Sequence, residues 1–116
     1  MITLTQEQWL AEATKRYGPL GRNFRFQCPA CGHVQSGEDF LALGMTPELI
    51  AKRLGFSCIG RWMPGEPREA FGSGPGPCNY AGGGLIRIAP ICVQAGGREI
   101  YVFDFADDPL AAEVPA

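Results

Sequence analysis

Cys28 and Cys31 stand two residues apart in Cys28-Pro29-Ala30-Cys31-Gly32, the form of a zinc knuckle. Two thiolates at i and i+3 of a tight turn can face one ion, and a small residue after the second lets backbone N–H groups point at the sulfurs. One knuckle supplies half of a tetrahedron. Cys58 and Cys78, each followed closely by a turn-forming or small polar residue, are expected to supply the rest, giving C-x₂-C-x₂₆-C-x₁₉-C. The chemistry that follows is the binding of one structural Zn²⁺ by four thiolates. Cys92 lies between Ile91 and Val93 in an apolar run and reads as a small buried hydrophobe. His33, two residues beyond Cys31, is expected to pack beside the knuckle rather than to ligate.

The rest of the composition argues that such a staple would help. The chain has 116 residues with 46% hydrophobic and 19% charged, enough for one core and too short for a second globular domain. It also holds 16 Gly and 10 Pro, which raise the cost of ordering. Residues 1–103 carry ten bases against eight acids, and a four-thiolate zinc would bring that +2 to zero. Strong electrostatic capture of polyphosphate is therefore not expected. The opening Met1-Ile-Thr-Leu-Thr-Gln-Glu-Gln lacks a basic region followed by an apolar one, and no run of about twenty apolar residues occurs, so the chain reads as cytoplasmic, with no membrane partner. In a reducing compartment an odd number of cysteines favours metal over disulfides.

The positioning elements can be read from their caps. Thr5 with Gln8 forms a capping box ahead of a helix running to Tyr17, with Leu4 stapled to Trp9 and Gly18-Pro19 as the stop. Phe24-Arg25-Phe26-Gln27 alternates as a half-exposed strand leading into the knuckle. Ser36-Gly37-Glu38-Asp39 reads as a polar N-cap stretch ahead of a short helix closed by Gly44, and Thr46-Pro47-Glu48 starts another that ends before Gly55. Residues 64–84 contain four Pro and seven Gly and predict a long irregular connection tethered by Cys78. Strands are expected over Leu85–Ile88 and Ile91–Val93, the latter hairpinned through Gly96-Gly97 to Glu99–Phe105. Together these predict an α+β, zinc-ribbon-like domain over 1–105, with an N-terminal helix, two short inserted helices and an antiparallel meander, followed by a flexible tail over 106–116.

Trp9, Phe26-Gln27-Cys28-Pro29-Ala30-Cys31-Gly32-His33-Val34-Gln35, Cys58-Ile59-Gly60-Arg61, Cys78-Asn79-Tyr80 and Gly83-Gly84-Leu85 resemble a family of small uncharacterised proteins encoded by bacteriophages and prophages, across roughly residues 5–105. The resemblance implies a zinc-bound fold and a phage context, and no activity.

The residues themselves argue against catalysis. There is one His, no H-E-x-x-H, no H-x-E, and no P-C-x-x-C; Gly72–Gly76 lacks the Lys-Ser/Thr of a phosphate loop, and C-x-x-C lacks a βαβ setting. No small-molecule substrate suggests itself, and two binding readings remain. Trp62, Met63, Phe71 and Tyr80, with Arg61, could present an aromatic surface to a host protein, or could fold back over the core. Lys15, Arg16, Arg22 and Arg25, interleaved with Tyr17, Phe24 and Phe26 and extended by Arg53, Arg61 and Arg68, could grip nucleic acid, or could be ordinary solvated faces. Arg61 could instead pair with Glu38 or Asp39 or cover the thiolates. Recognition of a protein is the first expectation and of nucleic acid the alternative.

Overall fold

The computed structural model describes residues 2–65, 67–72, 76–82 and 88–113. Strand β1 (Ile2–Thr5) runs into helix α1 (Gln6–Tyr17), whose N-terminus carries the expected capping box: Thr5 Oγ1 accepts from Gln8 N–H, and Gln8 Oε1 accepts from Thr5 N–H. β2 (Arg25–Gln27) and β3 (Val34–Ser36) flank the knuckle as an antiparallel hairpin. Two short capped helices follow, α2 (Gly37–Ala42) from Ser36 and α3 (Pro47–Arg53) from Thr46. After a 3₁₀ turn at Ile59–Trp62 and the irregular connection come β4 (Ile91–Ala95), β5 (Arg98–Val102) and β6 (Asp104–Phe105). Gly96 and Gly97 both have positive φ, 56° and 79°, as the tight turn joining β4 to β5 requires.

The strands form two sheets of three, ordered β1-β4-β5 and β3-β2-β6. This corrects the expected antiparallel meander in two ways. β1 was not foreseen as a strand, and it pairs parallel with β4, Ile2 opposite Ile91, so the first sheet is mixed. The strand expected to continue to Phe105 breaks at Phe103, where the chain leaves the first sheet and β6 joins the second, Phe105 opposite Phe26. Packing explains the break. Phe103 is fully buried among the aromatic side chains of the larger core, and its N–H donates to Gly55 O instead of a ladder partner. Of the strand expected over Leu85–Ile88, residues 85–87 lie outside the described residues. The fold is thus a small α+β arrangement of three helices and two sheets.

Phe24, Phe26, Phe40, Phe103, Phe105 and three cysteines build the larger core, while Ile91, Val93 and Val102 build a smaller one. Trp9 packs against both and stacks on Phe26 with ring centroids 5.9 Å apart. Residues 106–111 of the C-terminal segment are fastened back. Arg16 Nε donates to the carbonyls of Asp107 and Asp108, and the buried Asp104 carboxylate accepts from the N–H groups of Phe105, Leu110 and Ala111. Among the described residues no helix is long and apolar enough to cross a membrane.

Candidate metal centre

The knuckle follows from the hairpin that carries it. Cys28 N–H donates to His33 O and Gly32 N–H to Cys28 O, closing a turn whose reversal needs the positive φ of 80° at Gly32. Cys28 and Cys31 therefore project to one side of the hairpin. Cys58 arrives from α3 through Leu54 to Ser57, and Cys78 from the Pro- and Gly-rich connection, where Cys58 N–H donates to Tyr80 O.

These paths bring four sulfurs together. All lie within 4.8 Å of one another, with Cys28–Cys78 at 3.8 Å and Cys31–Cys58 at 3.7 Å. A tetrahedron of sulfurs each about 2.3 Å from a central ion has edges of about 3.8 Å, so the observed separations fit one Zn²⁺-sized ion. Cys28, Cys58 and Cys78 are buried, Cys31 is half-buried, and all five cysteines of the chain are free thiols. Backbone N–H groups face the sulfurs in a repeated pattern: Ala30 toward Cys28, Gly60 toward Cys58 and Tyr80 toward Cys78, each two residues on. Cys78 N–H also donates to Cys58 Sγ at 3.3 Å. Such donors offset thiolate charge in a closed site.

The electrostatics of the metal-free cluster are uneven. The hydrogen bond from the Cys28 thiol, helped by the Gly60 and Cys78 N–H groups, lowers Cys58 to about 5 despite its burial. Cys28, bound to that thiolate and buried, is pushed far above the ordinary thiol range, and burial raises Cys78 to about 11. One thiolate is thus stabilised by its neighbours' protons, and an incoming cation would have to displace those protons.

Two residues that hold the centre were not singled out by their chemistry. Gln35 is fully buried; its Nε2 donates to Leu54 O at 2.6 Å and Ser57 O at 2.9 Å, and its Oε1 accepts from Ile59 N–H at 2.8 Å. It clamps the segment that delivers Cys58. The signal was a Gln on the inward phase of a short strand, invisible until β3 is recognised as one. Gly60 is the second, because a Cβ there would sit 2.3 Å from Cys78 O. His33 and Cys92 are outside the sulfur cluster; Cys92 sits in β4 opposite Tyr101.

The other candidate residues are dispersed. Tyr80 is buried on Phe103, and its hydroxyl accepts from Ile88 N–H. Trp62 is half-buried under the Arg53 guanidinium, 3.8 Å above its ring, and Arg61 donates to Asn79 O rather than to Glu38, Asp39 or a sulfur. Phe71 is 59% exposed. Arg16 is nearly buried, paired with Glu12 and lying over Phe105. Arg25 pairs with Asp107 at 2.9 Å and Arg22 approaches Glu38 at 3.9 Å, leaving Lys15 with no ion pair within the described residues.

Fold and site together define a small α+β protein whose four-cysteine cluster can hold a metal ion. The chain matches the VVA0879-like family, which is uncharacterised, over residues 5–106, and belongs to it. No curated protein matches the chain, and neither does any solved structure.

Proposed function

We propose that this is a non-catalytic binding protein, stabilised by one structural zinc ion, that recognises another protein. The observation carrying the zinc reading is the gathering of four sulfurs within 4.8 Å of one another. Four thiolates are the donor set of structural zinc, and they leave no coordination position for a substrate. Cys28, Cys31, Cys58 and Cys78 would hold the ion, and its role would be to fix the connection that carries Cys78. The resemblance to phage- and prophage-encoded proteins gives the setting, a host protein as partner in the host cytoplasm.

A protein partner is favoured over nucleic acid because most of the basic stretch is engaged within the chain. Arg16 and Arg25 have close carboxylate partners, which a phosphate backbone would have to displace, whereas Arg22 meets Glu38 only at 3.9 Å. Elemental analysis of the purified protein tests the zinc reading: one zinc per chain is expected. Absence of transition metal, or an unchanged melting temperature after verified removal, overturns it. A salt titration against single- and double-stranded oligonucleotides tests the alternative; tight binding at low salt that fades steeply as salt rises would favour nucleic acid.

A further inference from the structure

An apolar groove lies on a face built by α1 and α3. Its larger part, about 560 Å³, is floored by Trp9, Phe24, Phe26, Ile50 and Leu54, and walled in part by Leu10, Leu20 and Leu41. Those three leucines are 42%, 51% and 37% exposed, and they are three of the seven exposed large apolar residues of the described chain. A second part, about 410 Å³, shares Trp9, Ala51 and Gly55 with the first and continues over the face of β4 and β5 at Val93, Ile100 and Val102. Exposed leucines around an apolar floor are characteristic of a surface that another molecule covers.

Charge says what kind of molecule. Arg22 stands in the first part, Lys52 and Arg98 in the second, and among the described residues no carboxylate lines either. Strand alternation sets this asymmetry in β5: Arg98, Ile100 and Val102 share the groove face, while Glu99 points away and accepts from the Tyr101 hydroxyl. Arg22 meets Glu38 only loosely, at 3.9 Å with both side chains exposed. α1 and α3 pair their backbone groups within the helices, and β4 and β5 present side chains to the groove, so an occupant there meets side chains rather than a backbone ladder, which only the outer edge of β5 offers.

We propose that this groove docks an acidic amphipathic helix of a partner protein, laid between α1 and α3 with its apolar stripe on Trp9 and the leucines and its carboxylates toward Arg22, Lys52 and Arg98. The proposal rests on the reading of the chain as a protein-binding module, and it places recognition on residues other than Trp62 and Phe71, neither of which lines the groove.

The test uses the full chain and labelled helix-forming peptides of about 18 residues, long enough for five turns. Each has a Leu, Met or Phe stripe, and the remaining positions carry Glu and Gln in one set and Lys and Gln in the other. Fluorescence anisotropy should show members of the acidic set binding at least about tenfold tighter than their basic counterparts, with the preference shrinking as salt is added. Leu20→Ser, at an exposed position and checked for an unchanged melting temperature, should weaken binding at least about fivefold, whereas Phe71→Ser should leave it unchanged. Lys52→Glu combined with Arg98→Glu should reverse the preference. The inference is overturned if no acidic peptide binds, if basic peptides bind as well, if Leu20→Ser has no effect, or if sedimentation shows the groove filled by a second copy of this chain. Zinc content and melting are measured on the same samples. A zinc-loaded, folded protein that binds no acidic peptide overturns the groove alone, and a metal-free protein that binds them retains the groove and overturns the zinc reading.

Discussion

Gln35 places three backbone partners around one buried side chain, and that makes it the most sensitive non-cysteine position near the centre. Gln35→Ala would strand two carbonyls and one N–H, each worth about 1 kcal/mol or more when left unsatisfied, so a loss of about 3 kcal/mol is expected from denaturant midpoints. Among the cysteines, Cys31→Ser should lower zinc retention while Cys92→Ala should leave one zinc per chain, read by elemental analysis after dialysis, because only Cys31 lies in the cluster. Acidity belongs to this scale too. The lowering of Cys58 and the raising of Cys28 and Cys78 mean that the cluster shares protons at neutral pH that a metal must displace. Zinc uptake at pH 7 should therefore release these protons, measurable with an indicator dye in weak buffer, and affinity should fall as pH drops because protons compete for the sulfurs. The cysteines were legible in the sequence because thiolate spacing carries their chemistry with it. Gln35 was not, since a Gln in a strand reads as a solvent-facing residue until the fold shows which side is inward. Gly60 was legible as a turn residue but not as the point where two ligand segments touch.

The elements divide according to how local their causes are. α1, α2 and α3 were readable from Thr5, Ser36 and Thr46, since a cap and its N–H partner lie within one turn. β1 and β3 escaped, and β6 was read as the end of β5, because two to four residues carry little pattern and the partners of β1 and β6 are distant in the chain: Phe105 meets Phe26, and Ile2 meets Ile91. The connection between Trp62 and Ile88 was legible as irregular, and several anchors hold its described residues. They include the Cys58–Tyr80 and Phe56–Gly82 backbone bonds, Asn79 Oδ1 accepting from Ala70 N–H, and Cys78 itself. A structural zinc contributes about 10–16 kcal/mol of apparent binding energy, comparable to the whole net stability of a domain. Chelation should accordingly raise amide hydrogen exchange first and most around residues 56–61 and 76–82, while α1 keeps its protection until global melting.

At the scale of the molecule, the C-terminal segment secures the N-terminal helix. Arg16 reaches the carbonyls of Asp107 and Asp108, Tyr17 hydroxyl accepts from Asp107 N–H, and Asp104 gathers the N–H groups of Leu110 and Ala111. Ending the chain after Phe105 would leave the buried Asp104 carboxylate and Arg16 short of partners, so a loss of about 2 kcal/mol is expected by urea denaturation, with zinc content unchanged. The sequence showed the acidic residues of this segment and not their purpose, because Arg16 and Asp107 are joined only by the fold. The parallel pairing of β1 with β4 has a further consequence for how the protein is born. Residues 2–5 are built to lie beside residues 91–94, so that strand pair cannot form until the ribosome has synthesised the chain as far as β4. Until then Ile2 and Leu4 lack their strand partner, and a pairing so distant in sequence favours a slow closure of this sheet.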